Sequence, residues 1–242
     1  MKNVMYFAIW LLFYMGAVVA ATVDPSLVAA TVDPSVVDYI SERAIAPAAD
    51  LPRWYILTGG TCVGKTTLIE HFVHLGHAVV PEAAKAFILA EQAKGVAEPW
   101  KLEGFQSGIS VWFDKEMEKA KKLAGVDLCF FDRGPVDSIM YHLHRGQAPE
   151  DQVVLYTGIA LREQRFQCKV FLLEELPADC FENTSYRPED PEESRKIGAW
   201  MEKGYRDLGF TIIRIPAVPV EERAKIILRH IEMDKKSAEE GF

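Results

Sequence analysis

Gly59-Gly60-Thr61-Cys62-Val63-Gly64-Lys65-Thr66 follows the apolar run Trp54 to Thr58 and precedes Leu68, Ile69, Phe72, Val73 and Leu75, a helical pattern that ends at Gly76. The octapeptide satisfies G-x-x-x-x-G-K-[ST] in full, in the strand-then-helix context that gives this pattern its meaning. A backbone that wraps a polyphosphate must turn several amides inward, and glycine at 59, 60 and 64 permits positive φ and close approach. The helix that opens at Gly64 directs its unpaired N–H groups at the same point. In such a loop residues 59–67, Gly59 through Thr66 with Thr67, hold the phosphates; Lys65 reaches the β and γ oxygens, and Thr66 can ligate Mg2+. Cys62 lies inside the loop with no histidine at a spacing that would activate it, and reads as a small filler.

Outward from this loop the chain alternates short apolar runs with helical patterns. Ala78 to Pro81, Leu128 to Asp132, Val170 to Leu173 and Thr211 to Ile215 join Trp54 to Thr58 as strands, unalternated as in strands buried on both faces. Leu102, Phe105, Ile109, Trp112, Phe113 and Met117 mark a helix, and another follows Pro135. Asp190-Pro191-Glu192-Glu193 predicts a helix start with Asp190 as N-cap and Glu193 closing a capping box. A last helix from Pro219 sets Val220, Ala224, Ile227, Leu228 and Ile231 on one face. This rhythm predicts an α/β fold, a doubly wound sheet of five parallel strands.

Two strands end in carboxylates at the edge where such sheets bind ligands. Asp132, in Phe131-Asp132-Arg133-Gly134, is the candidate second ligand for Mg2+, the alternative being a cap for the helix after Pro135. Arg133 would neutralise phosphate or make a surface salt bridge. Glu82, after Val79-Val80-Pro81, is a candidate general base toward an acceptor hydroxyl, or a partner of its own helix dipole, with Lys85 one turn on.

Composition narrows the function. The 242 residues carry 27 Lys+Arg against 35 Asp+Glu, a net charge of -8 that argues against broad nucleic-acid binding. Four cysteines without CxxC spacing indicate neither zinc nor a disulfide framework. His71 and His74, and His142 and His144, read as surface or boundary residues rather than metal ligands. The tryptophans read as packing residues.

The N-terminus is different in character. Val4 to Ala21 is apolar apart from Gly16, with Lys2 the only nearby charge, and fits a signal peptide of residues 1–20 or a membrane anchor. The expectation is an exported or membrane-anchored protein whose body works in an ATP-containing compartment, with membrane contact through residues 4–21. Residues 21–52 form an Ala- and Pro-rich linker with a duplicated nonapeptide, ATVDPSLVA then ATVDPSVVD. The nucleotide domain then runs over 53–233, leaving 234–242 as a polar tail.

WYILTGGTCVGKTTLIEHFVHLG, HAVVPEAAKAFI, FFDRGPVDSIMY, KVFLLEELP and YRDLGFTIIRIPAVPVEERAKIIL together resemble, from Arg53 to about Arg229, the NadR-like AAA-domain family of ATPases and kinases. The resemblance implies a P-loop NTPase of the nucleoside- and nucleotide-kinase type, similar to ribosylnicotinamide kinase domains, with a lid between the fourth strand and the next helix. It implies that Glu82 and Asp132 are the substrate-side and magnesium-side carboxylates. Arg187, in TSYRPED, would be the lid arginine, with Arg195 as second choice. Some relatives bind GTP or lipid. This chain departs from a plain metabolic kinase in its lid, since Glu174 to Glu193 carries eight acids against the single base Arg187. No NKxD guanine-reading sequence occurs, which favours ATP over GTP.

Two functions follow as expectations. One is a Mg2+-dependent kinase or ATPase that transfers the γ-phosphoryl of ATP to a small acceptor or to water, using Lys65, Asp132, Glu82 and Arg187. The other is a nucleotide-dependent binding module that recognises a protein or lipid partner.

Overall fold

In the computed structural model the described residues are 51–177, 180 and 189–240, with side chains described as far as 236. The apolar segment 4–21, the linker repeat and Arg187 lie outside them.

The five strands are β1 (Arg53–Gly59), β2 (Ala78–Val80), β3 (Leu128–Asp132), β4 (Phe166–Leu173) and β5 (Thr211–Ile215). They form one parallel sheet in the order β2-β3-β1-β4-β5. The strand order reverses at β1, which therefore carries its C-terminal loop at the centre of the sheet edge, where α/β sheets bind ligands. Register brings the candidate residues to that edge together: Leu57 pairs with Asp132 and Gly59 with Leu173.

The helices are α1 (Lys65–His74), α2 (Ala83–Ala93), α3 (Phe105–Ala120), α4 (Pro135–His144), α5 (Asp151–Leu161), α6 (Pro191–Asp207) and α7 (Val220–Glu240), with a short 3-10 turn at Pro99–Lys101. Alternation along β1 sends side chains to opposite faces of the sheet. Trp54 and Ile56 join the core under α3, α4, α5 and α6, while Tyr55 and Leu57 join the core under α1 and α7. Phe72 of α1 stacks on Phe130 of β3 at 3.8 Å between centroids, anchoring the helix that carries Lys65.

Several details depart from the periodicity. α3 starts at Phe105 behind Gly104, whose positive φ of 71° ends the preceding turn; Leu102 lies outside the helix and is exposed. β4 begins at Phe166 rather than Val170, and α5 occupies a stretch to which the apolar pattern assigned no element. Asp190 caps α6 by accepting from the Glu193 N–H at 2.8 Å. The capping box is not completed, because the Glu193 carboxylate is drawn 2.6 Å from His144 Nε2 on α4. α7 continues through residues 234–240, which the sequence pattern set apart as a tail, and Asp234 pairs with Lys169 of β4. Among the described residues no helix is long and apolar enough to cross a membrane.

Candidate active site

The phosphate loop runs from the end of β1 into α1. Gly59 and Gly64 have φ of 139° and 82°, the left-handed region where a side chain is strained, and Cys62 follows at 55°. Gly60 serves close approach instead, since a Cβ there would overlap the backbone of Ser194 in α6. The loop carbonyls are held from three sides. Lys65 Nζ donates to Gly60 O at 2.5 Å, Ser194 Oγ to Thr61 O at 2.7 Å, and Arg223 Nη1 of α7 to Val63 O at 2.6 Å. Arg223 also donates to Pro216 O and Glu174 O, so one buried guanidinium joins the loop to the ends of β4 and β5. Burial lowers the pKa of this arginine.

Thr66 Oγ1 lies 3.2 Å from Asp132 Oδ2, bringing the two candidate magnesium ligands into contact. A hydroxyl and a carboxylate suit a hard cation that keeps several waters and takes its remaining oxygens from phosphate. The described residues contain no cluster of three or more His, Cys, Asp or Glu able to hold a metal by themselves. Asp132 does not cap α4: Gly134 occupies the N-cap position, and its N–H donates to Asp137 at 3.3 Å.

Glu82 sits at the N-cap position of α2 but makes no side-chain cap. Its Oε1 accepts from Arg133 Nε at 2.9 Å. Arg133 is buried at 6% exposure, so its ion pairs are internal and the surface salt bridge anticipated as an alternative is ruled out. Its Nη1 also donates to Asp137 at 3.0 Å and to Gly59 O at 3.2 Å. Burial alone would lower the arginine's pKa, but Tyr141, Glu82, Asp137 and Asp132 together raise it, keeping it charged. Burial pushes the Tyr141 phenol up to about 12 against the opposing pull of Arg133, so it stays protonated.

Glu82, Asp132 and Thr61 look into a single cleft bounded by α2, α3, α4 and α5, enclosing about 1070 Å³ of empty space with its mouth included. Part of its wall is aromatic and apolar, with Trp100, Phe105, Ile109, Phe113 and Tyr156. Buried polar atoms on its lining without a hydrogen-bond partner among the described residues include Thr61 Oγ1, Gln106 Oε1, Arg133 Nη2 and Glu189 Oε2. A buried polar group costs roughly 1 to 3 kcal/mol when unsatisfied, so such atoms mark where a ligand would bind.

The structure thus brings Lys65, Thr66, Asp132 and Glu82 to one sheet edge. Thr67 is exposed on the outer side of α1, and Arg195, second choice for the lid, is exposed on α6. His142 is buried, with Nδ1 3.0 Å from Ser138 O, so it is a core residue rather than a surface or boundary one. Sequence reasoning missed Gln106, Asp137, Ser194, Tyr205 and Arg223. Gln106 and Ser110 were detectable as polar residues on the apolar side of α3; the other four act through tertiary contacts that no local spacing encodes.

Residues 54–223 match a family model described as "AAA domain". The chain belongs to this AAA-domain family. A search of curated proteins finds no match. Among solved structures, the family member described here is similar to deoxyadenosine kinase from M. mycoides with the products dCMP and a flexible dCDP bound. The TM-score is 0.51 at 13% identity, over 74% of this chain and 99% of that one. The same kinase with bound dATP aligns with a TM-score of 0.48 at 14% identity, over 74% and 99% of the two chains. The first likeness shows that this AAA domain has the P-loop kinase-like fold.

Proposed function

We propose that this AAA-domain protein is an ATP-dependent phosphotransferase acting on a hydroxyl of a small, ring-bearing acceptor. The observation that carries the reading is the cleft itself: a partly open, aromatic-walled cleft that Glu82 and Asp132 line together with Thr61 of the phosphate loop. A simple hydrolase needs room for one water, whereas this cleft extends from the phosphate loop along an aromatic wall against which a ring could lie. The aromatic wall suits a planar ring, and Gln106 Oε1 calls for an N–H on that ring's edge. A nucleoside meets both requirements, and the M. mycoides protein of the same fold is a deoxyadenosine kinase. Ribosylnicotinamide, implied by the NadR-like resemblance, belongs to the same chemical class.

In the step proposed, the acceptor hydroxyl oxygen bonds to the γ-phosphorus as the bond to the β–γ bridging oxygen breaks, and Glu82 takes the hydroxyl proton while ADP leaves. Glu82 is held by Arg133 and therefore presents a fixed oxygen to the hydroxyl. Arg133 Nη2 has a free donor on the cleft side for an acceptor or transferring-phosphoryl oxygen. Lys65 leaves Gly60 O for the β and γ oxygens, which as anions bind an ammonium more strongly than a carbonyl does. Magnesium, held by Thr66 and Asp132, would offset charge on the phosphates. Arg187 would complete the clamp from the segment between β4 and α6.

The acids around that segment favour a second reading, a nucleotide-dependent module that binds a protein or lipid partner. One experiment separates the two. Purified protein is incubated with Mg-ATP and each of a panel of nucleosides, including ribosylnicotinamide, and phosphorylated product and ADP are quantified. Equimolar product and ADP with at least one nucleoside supports the kinase. ADP formation at the no-acceptor rate throughout sinks it in favour of the module.

A further inference from the structure

Asp137 of α4 is 3% exposed and takes no part in the transfer step above, yet it is among the most heavily engaged carboxylates in the molecule. Oδ2 accepts from Thr58 Oγ1 at 2.8 Å and from Arg133 Nη1 at 3.0 Å. Oδ1 accepts from Tyr205 OH at 2.7 Å and from the Gly134 N–H at 3.3 Å. Four donors for one buried carboxylate leave it satisfied, so nothing here awaits a ligand. What distinguishes the group is where the donors come from. Thr58 is the last β1 residue before the phosphate loop begins, Arg133 holds Glu82, and Tyr205 belongs to α6, whose first turn packs on the phosphate loop.

Two further observations show that this junction is built at a cost. Arg133 has φ of 75°, a left-handed conformation that a residue other than glycine adopts only when its surroundings enforce it. Gly134 is required beside it, because a Cβ there would overlap Tyr205 OH and lie 2.8 Å from Ile56. Burial, then Asp137 itself, raise the Tyr205 pKa well above the ordinary value, so the phenol remains a donor. The same helix touches the phosphate loop through Ser194, which donates to Thr61 O. One element therefore contacts both halves of the site.

We propose that Asp137 and Tyr205 are positioning residues that make the orientation of the Glu82–Arg133 pair depend on the seating of α6. When α6 is docked, Tyr205 fixes Asp137, Asp137 fixes Arg133, and Arg133 presents Glu82 to the acceptor. When α6 shifts, that chain of contacts loosens at its first link and the carboxylate loses its aim. The seating of α6 is thereby felt on the acceptor side without any residue of α6 touching the acceptor. The catalytic part of this inference rests on the phosphotransferase reading; the mechanical part does not.

The test uses the full chain with 15N-labelled arginine. The Arg133 Nε–H, bonded to Glu82, reports the aim of the pair through its rate of hydrogen exchange. The Arg223 Nε–H, bonded to Pro216 O on the other side of the sheet, reports general loosening. Tyr205→Phe and Asp137→Asn should each speed exchange at Arg133 by about fivefold or more while leaving Arg223 within about twofold. Equal acceleration at both arginines, or none at Arg133, overturns the coupling.

Activity supplies the second arm, with whichever nucleoside of the panel accepts phosphate. Tyr205→Phe should lower kcat for transfer by about tenfold with KM for Mg-ATP nearly unchanged. Background ATP hydrolysis, which does not call on Glu82, should be unchanged by Tyr205→Phe. Equal losses in transfer and in background hydrolysis would mean that Tyr205 merely stabilises the fold. If no nucleoside accepts phosphate while exchange at Arg133 still responds, the kinase reading has failed and the coupling stands.

Discussion

Lys65 is the only charged side chain within the phosphate loop, and its hydrogen bond to Gly60 O shows it turned back on that loop. Replacing it with alanine should weaken Mg-ATP binding by about 1.5 to 3 kcal/mol, the worth of a charge-assisted contact. That is a loss of roughly ten- to hundred-fold in Kd. Calorimetry on both forms checks this, and equal affinities would remove the phosphate-loop assignment. Asp132→Asn should act differently: turnover should fall far more than nucleotide affinity, because its proposed work is on charge that grows in the transition state. An unchanged kcat would leave Asp132 as no more than a partner for Thr66. Glu82→Gln should abolish transfer to the acceptor and spare background ATP hydrolysis, measured as ADP formed without product. The loop and both strand-end carboxylates were legible in the sequence because each lies within a few residues of the strand that positions it. Asp137 was not, because a buried polar residue looks like a surface one until the neighbouring helices are in place.

At the scale of elements, legibility followed the clarity of the pattern. β1 and β3 are built on continuous apolar runs, β5 keeps Ile212, Ile213 and Ile215 around the exposed Arg214, and all three stand close to where the pattern puts them. α5 was missed because Val153, Val154, Leu155, Tyr156, Ile159, Ala160 and Leu161 are spread around the helix rather than along a stripe, leaving Leu155 and Ile159 exposed. β4 was read short because the half-buried Gln167, Cys168 and Lys169 interrupt its apolar run, although its ladder to β1 begins at Phe166. The contact between α6 and the phosphate loop gives a comparison between two glycines. Gly76→Ala meets nothing within 4 Å and should cost only its positive φ, about 1 kcal/mol. Gly60→Ala must displace the first turn of α6 and should cost about 1 to 3 kcal/mol as overpacking. Gly60→Ala should also weaken ATP binding, which Gly76→Ala should not. Thermal melts with and without Mg-ATP read both effects, and equal behaviour of the two variants would show that α6 yields freely.

For the whole molecule, we propose that the segment 4–21, which lies outside the described residues, exports or anchors the protein. The two cores already close over both faces of the sheet, with Leu68, Phe72 and Ile227 on one side and Ile139, Met201 and Leu208 on the other all fully buried. Removing residues 1–20 should therefore leave the Tm of the body unchanged within error and ATP binding intact. A drop of more than a few degrees would mean that the segment packs on the domain. Protein isolated from its host should begin at Ala21 or Thr22 if the segment is cleaved; an intact Met1 in the membrane fraction would indicate an anchor.

Trp100 belongs to the cleft wall, whereas Trp54 is sealed in the core between Phe131 and Phe166 with the Arg165 guanidinium over its ring. The two indoles consequently differ in what they can sense. An occupant stacked in the cleft would change the emission of Trp100 and leave that of Trp54 constant, so the domain carries a native optical probe of its own cleft. Filling the cleft should quench or shift a fraction of the intrinsic fluorescence, and Trp100→Phe should make the same titration silent.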